Sequence, residues 1–459
     1  MGLRWQETAL GALFALASAG LAGCKGKIEK AEAAIAPRES AVVDAGAAKP
    51  ACPAPEPAKI APFEVEKKII TADVPKFVDP SGSLAPFEDK ILALSRGTSQ
   101  APIRIGFYGD SNLTSDFMTG HLRRSLQARF GDAGHGFVAM ARPWAWYSHE
   151  DVHHHGTWPL FHQFDCTTDP VVGHRYGFAN MASESAKPGA AAWVATADGD
   201  AKVGRSASRF EVYFLKQPKG GTFDILLDGK PVKTVVTAAP DFAAGFETVE
   251  APDGTHEVKC IVKGDYSVRL YGTTLERDVV EPGMNGGIVV DSLGAGALNF
   301  QRFMLTEPVI RKAQLERRKY DVVFVWLGMN SMWLEPNKGW ATDTVKTLRE
   351  ALPGVPVVLV APPDSEKPGS TKTDPRIVSI VKQLATVAEE QKAAFWDLRA
   401  AMGGDGAFLE FMKYGLGATD RVHLSREGNV LLGQRLLAAL FEDIRARLAA
   451  SPAAGCGTP

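Results

Sequence analysis

The chain has 459 residues, 45% of them hydrophobic and 23% charged, with a formal net charge of −2. That length accommodates two domains and a tail, and the composition is that of a protein with a packed core. The near-neutral balance provides no basic surface, which excludes nucleic acid as a partner.

In chain order, residues 1–24 read as a targeting segment. Arg4 supplies a positive start, and Ala9 to Gly23 is an Ala/Leu-rich apolar run too short to span a bilayer as a helix. The run ends Leu21-Ala22-Gly23-Cys24, which resembles a bacterial lipobox. That resemblance implies cleavage before Cys24, lipidation at Cys24, and an exported lipoprotein held at a membrane by its acyl chains. Lys25 after the cysteine points towards the outer membrane or its periplasmic face. Residues 25–62 are Ala, Pro, Glu and Lys with few large apolar side chains, and read as a tether.

Residues 63–145 form the first part of an α/β domain. Ser83 is a candidate cap for a helix through Phe87, Ile91, Leu92 and Leu94. The apolar strand 103–108 runs directly into Gly109-Asp110-Ser111, and a helix over 115–130 carries Met118, Leu122, Leu126 and Phe130 on one face. A serine at a strand-to-helix turn lies at the carboxyl edge of a sheet, where open α/β folds bind ligands. The helix N-terminus behind it would offer free N–H groups to a developing oxyanion.

Residues 146–280 read as an insertion, because the gap from Ser111 to the next candidate block far exceeds the roughly 30 residues of a single crossover unit. His149, His153, His154, His155 and His162 lie beside Glu150 and Asp151 without a fixed metal-ligand spacing, and read as a solvated or cleft-lining loop, with no metal expected. Trp144, Trp146, Tyr147 and Trp158 either stack on sugar rings or pack a seam between domains. Short alternating strands at 209–215, 221–227, 231–236, 256–262 and 266–271 indicate a β-sandwich with its core at 190–277. Asp228-Gly229 marks a hairpin turn, and Lys263-Gly264-Asp265 is read as a second.

Residues 281–449 resume the β/α alternation, with a flexible tail at 450–459. Strands are expected at 287–292, 320–327, 356–361 and 393–398, and helices at 297–316, 341–351, 374–390 and 426–448. Ser425 is a good N-cap for the last helix, whose Leu431, Leu432, Leu436, Leu440, Phe441 and Ile444 form an apolar stripe. Just before it stands Asp420-Arg421-Val422-His423. Serine needs a base to take its proton, and the base needs a carboxylate to hold its tautomer. Ser111, His423 and Asp420 supply one residue of each kind.

These blocks resemble the SGNH (GDSL-type) hydrolase family. The resemblance implies a flavodoxin-like doubly wound parallel sheet, here with an inserted β-sandwich domain, and an acyl-serine mechanism needing no cofactor. It also implies an oxyanion hole from a second-block glycine, Gly296 with Gly294 as the alternative, and from the asparagine of Gly328-Met329-Asn330. Ser331 stands where the family often has aspartate, and Asn112 where it often has leucine. The insertion, together with Phe130-Gly131-Asp132-Ala133-Gly134-His135-Gly136 and Met402-Gly403-Gly404, is similar to bacterial peptidoglycan O-acetylesterases that carry a carbohydrate-binding-like β domain. The expected partner is an O-acetylated glycan. An O-acetyltransferase using the same serine and a non-catalytic glycan-binding lipoprotein remain open alternatives. With Cys24 lipidated, Cys52, Cys166, Cys260 and Cys456 allow three pairings. Cys166–Cys260 with Cys52–Cys456 is the favoured one, and free thiols are the alternative.

Overall fold

A computed structural model describes residues 59–99, 101–143, 146–158, 160–162, 172–278, 286–332, 337–367 and 369–450. Cys24, Cys52, Trp144, Cys166, Cys456, the targeting segment, nearly all of the tether and the tail beyond residue 450 lie outside them. Among the described residues no helix is long and apolar enough to cross a membrane.

The strands are β1 (Ile103–Gly109), β2 (Gly136–Ala139), β3 (His153–Gly156), β4 (Leu160–His162), β5 (Met181–Ser185), β6 (Ala191–Ala195), β7 (Ala207–Lys216), β8 (Thr222–Leu227), β9 (Lys230–Val236), β10 (Ala243–Gly254), β11 (Glu257–Val262), β12 (Val268–Glu276), β13 (Ile288–Gly294), β14 (Val322–Trp326), β15 (Val357–Val360) and β16 (Ala394–Trp396). The helices are α1 (Ala85–Ser95), α2 (Phe117–Phe130), α3 (Phe300–Leu305), α4 (Pro308–Arg318), α5 (Asn337–Ala351), α6 (Pro375–Glu390), α7 (Leu398–Met402), α8 (Ala407–Lys413) and α9 (Arg426–Ala450).

Five strands form an all-parallel sheet in the order β13-β1-β14-β15-β16. In chain order this is 2-1-3-4-5, the flavodoxin-like arrangement. Its strands are apolar on both faces, as a sheet covered on both sides requires. On β14, Val322, Phe324 and Trp326 join one core with α1, α2 and α9, while Val323 and Val325 join a second core on the opposite face. The apolar stripes of α2 and α9 are buried as their spacing requires, and the Ser425 hydroxyl accepts from the Gly428 N–H at 3.1 Å.

The inserted residues form two further sheets, β10-β7-β12-β5-β4 with β2 beside β12, and β3-β6-β11-β8-β9. They also recruit β2 from residues read as the first part of the α/β domain, and β3 to β5 come from the segment before 190 read as a connection. The β8–β9 turn has Asp228 and Gly229 at φ 51° and 76°, the double positive φ of the expected hairpin. The second expected hairpin is not formed: β11 pairs with β6 and β8, whereas β12 pairs with β2, β5 and β7. Lys263–Asp265 instead carries the chain from one sheet to the other. The Asp265 carboxylate anchors that crossing by accepting from the Thr222 N–H at 2.8 Å and hydroxyl at 2.6 Å.

Three other expectations are corrected. The helix over 297–316 is two helices, because Pro308 removes a donor and Glu307 caps α4 by accepting from the Val309 and Ile310 N–H groups. The start of α1 is held by Asp79, which accepts from the Ser83 and Leu84 N–H groups, rather than by Ser83. Cys260 is a free thiol buried in the sandwich core, the alternative cysteine reading rather than the favoured one, and Cys166 lies outside the described residues.

One apolar core runs from the sheet face carrying Leu293, Val323 and Val325 into the sandwich residues Phe137, Phe178 and Tyr213. Tyr147 and Trp158 are buried in it, which assigns them to the seam rather than to sugar stacking. A polar knot crosses the same junction. Asp291, wholly buried on β13, accepts from Arg318 at 2.5 and 2.8 Å, from the Tyr320 hydroxyl at 2.6 Å and from the Phe137 N–H at 2.8 Å. Arg318 and Arg104 both pair with Glu276 of β12.

Candidate active site

The register of the parallel sheet brings the first three blocks level. Gly109 lies opposite Gly294 on one side and Trp326 on the other, so the loops after β1, β13 and β14 leave the same edge together. Side chains at either glycine would collide with the chain that follows β1. A Cβ at Gly109 would lie 2.6 Å from Leu113 Cβ, and one at Gly294 2.5 Å from the Leu113 carbonyl carbon.

The turn after Gly109 is held by short local bonds. Asp110 accepts from the Asn112 N–H at 3.0 Å, and Thr114 donates to the Ser111 carbonyl at 2.9 Å. Burial pushes the Asp110 carboxyl up to about 6, with the Asn112 N–H and His423 pulling partly back. The helix does not follow at once: α2 begins at Phe117 behind Asp116, which sits in the left-handed region at φ 57°. The residues between Ser111 and Phe117 form a non-helical turn, so Ser111 is not at the first turn of α2.

At the far end of the chain, the loop before α9 presents His423 to the serine. Ser111 Oγ lies 2.8 Å from His423 Nε2, and His423 Nδ1 lies 2.7 Å from Asp420 Oδ2. The second Asp420 oxygen accepts from the Val422 and His423 N–H groups at 2.9 and 3.0 Å. Burial raises the Asp420 carboxyl, but these bonds and the imidazole outweigh it and hold the group below its ordinary value. The His423 and Asp420 side chains are 19% and 18% exposed, so water reaches the relay. Arg421, at φ 61°, donates to the Lys367 and Ser370 carbonyls at 2.7 and 2.8 Å and ties this loop to the one after β15.

The other two blocks are joined to each other. Gly328 turns the chain after β14 at φ 149°, a conformation open to glycine. The Asn330 amide then donates to the Leu298 carbonyl at 3.3 Å, and Asn299 donates to the Asn330 carbonyl at 3.3 Å. Of the two glycine candidates, Gly294 ends β13 and packs on the Leu113 backbone. The Ala295 N–H donates to the Gly109 carbonyl at 3.1 Å. The Gly296 N–H has no partner among the described residues.

The histidine tract runs into a strand and divides: His149 is buried, His154 half-buried, and His153 and His155 are exposed. On β3 the residues alternate, His153 and His155 outward and His154 inward, as a strand requires. His149 lies between His135, at 2.8 Å, and the Tyr147 hydroxyl, at 2.6 Å, and its N–H donates to His154 at 3.2 Å. Burial lowers all three imidazoles, His149 to about 4, His154 to about 3 and His135 well below its usual value. Asp116, His135 and His149 place ligand atoms within 4.8 Å of one another. Arg123 takes both Asp116 oxygens at 2.8 and 3.0 Å and the two histidines bond each other, while His135 Nδ1 is buried without a partner among the described residues.

One residue that the sequence reading treated only as a departure lies inside the site. Asn112 bonds across 310 residues to the Val422 carbonyl and also to the Leu424 N–H, on either side of His423. Its only sequence signal is its place next to Ser111.

The fold and the relay together define a carboxylic ester hydrolase. Residues 264–431 match the GDSL-like Lipase/Acylhydrolase family. The matched stretch holds Gly296, Asn330, Asp420 and His423 but begins after Ser111, which the insertion separates from the rest. The fold is similar to a solved structure described as a peptidoglycan O-acetylesterase in action, with TM-score 0.65 and 21% identity over 81% of this chain and 99% of that one. Weaker likeness extends to a family two carbohydrate esterase from Clostridium thermocellum, with TM-score 0.28 and 12% identity over 65% of this chain and 98% of that one. No curated protein sequence matches the chain.

Proposed function

We propose that the chain removes O-acetyl groups from a carbohydrate, cell-wall peptidoglycan, through an acetyl-serine intermediate. The observation that carries this reading is the hydrogen-bonded chain Ser111–His423–Asp420 at the carboxyl edge of the parallel sheet. His423 Nε2 takes the Ser111 proton as Oγ attacks the acetyl carbonyl carbon. Asp420 holds the imidazole with Nε2 facing the serine and stabilises the imidazolium that forms. The oxyanion is met by the N–H groups of Ser111 and Gly296 and by the Asn330 amide hydrogen not directed at Leu298. The sugar oxygen leaves with the proton from His423. Water then attacks acetyl-serine with His423 as base, which releases acetate and restores the serine.

Three features support the choice of substrate and outcome. The similar structure with TM-score 0.65 is that of a peptidoglycan O-acetylesterase. The leader ending at Cys24, read as a lipoprotein signal, would put the enzyme outside the cytoplasmic membrane beside such a glycan. The partly exposed relay favours water as acceptor, because transfer to a sugar hydroxyl requires water to be kept out. Acetate release from O-acetylated peptidoglycan by the wild type and by Ser111→Ala tests the reading. Release should fall on the order of a millionfold in the variant. Serine-dependent turnover of an aryl acetate with no release from peptidoglycan would discard the substrate and keep the chemistry.

A further inference from the structure

We infer that Asn112 is a positioning residue that fixes the His423 imidazole against Ser111 by bridging the two peptide groups that flank the histidine. This rests on the reading of Ser111 as nucleophile. Asn112 Oδ1 accepts from the Leu424 N–H at 2.8 Å and Nδ2 donates to the Val422 carbonyl at 3.1 Å. The rest of the histidine loop is shaped from within: Asp420 takes the Val422 and His423 N–H groups, and the Ala418 N–H donates to the His423 carbonyl at 2.8 Å. Asn112 ties that preformed loop to the end of β1.

The side chain is suited to this and fixed in place. It is only 4% exposed, and its own N–H is held on Asp110. A carboxamide carries a donor and an acceptor on one rigid plane, which matches a carbonyl and an N–H from neighbouring peptide units. The leucine common at this position in the family has neither. An aspartate of the same shape would accept from Leu424 but turn a second acceptor towards the Val422 carbonyl.

The test measures aryl acetate turnover by the full chain, as wild type, Asn112→Leu, Asn112→Asp and Ser111→Ala, with kcat, KM, a pH–rate profile and a thermal midpoint for each. A shift of about 1 Å in the imidazole lowers turnover on the order of a hundredfold. Asn112→Leu should therefore lose kcat to roughly that extent with KM little changed. Asn112→Asp should lose kcat and also move the acid limb of its profile to higher pH, since a nearby negative charge favours imidazolium. A clamp of purely structural importance would lower the thermal midpoint and leave both readouts alone. If both folded variants keep kcat within about threefold of wild type, with the same acid limb, the inference is overturned. Should Asn112→Leu not fold, the isosteric Asn112→Asp decides by its acid limb. Turnover that survives Ser111→Ala removes the nucleophile itself, a separate failure.

Discussion

Asn330 has two amide hydrogens, and only one of them is directed at the Leu298 carbonyl. On the proposed mechanism the other meets the oxyanion, so Asn330→Ala should lower kcat by roughly a hundred- to thousandfold, measured on an aryl acetate. Ser111, Asp420 and His423 were legible in the sequence because the chemistry restricts the residue types and each sits at the end of a readable strand or before a readable helix. Asn112 was not, because its partners are 310 residues away. Nor were the buried histidines, whose consecutive run obscures the alternation of a strand. They set a pH dependence of stability. The unfolded chain protonates them near 6.5, whereas the fold keeps His149 neutral to about 4 and His154 to about 3. The stabilisation is therefore complete above 6.5 and is lost as pH falls towards those values. The urea midpoint should drop between about pH 7 and about pH 4.5, and the drop should be shallower in His154→Gln. An unchanged slope in that variant would remove His154 from this account.

At the scale of elements, the parallel strands and the long helices follow from apolar periodicity, because both periods are visible where one or both faces are buried. Errors arose where a single residue overrides the pattern. Pro308 breaks an otherwise continuous helical stripe, and Glu307 then caps the second half with both carboxylate oxygens. Glu307→Ala should cost about 1 kcal/mol, read as a lower thermal midpoint with kcat unchanged. The β11–β12 pairing failed for a different reason: a Gly-containing turn between two alternating runs fits a hairpin and a crossing between sheets equally well. Only the anchoring of Asp265 on Thr222 separates them, and that contact is invisible in local sequence.

At the scale of the molecule, the two parts share a core and a buried ionic knot. Arg318 is only 3% exposed and Asp291 is wholly buried, and Arg318 also pairs with Glu276. Removing one partner leaves uncompensated charge in the interior, so Arg318→Leu should cost roughly 3–5 kcal/mol. Because the core is continuous, the loss should appear as one shifted transition for the whole chain rather than as separate melting of the sandwich, measured by calorimetry.

The strand that carries Ser111 comes first in the parallel sheet, yet it lies in the interior, with β13 and β14 as its neighbours. Both neighbours are made only after the entire sandwich. During synthesis β1 thus has neither hydrogen-bonding edge covered until the insertion has emerged, and contacts this distant form slowly. The histidine loop arrives later still. On the proposed mechanism, a chain cut anywhere between residues 111 and 420 would carry the serine and neither of its hydrogen-bonded partners, and should be inactive.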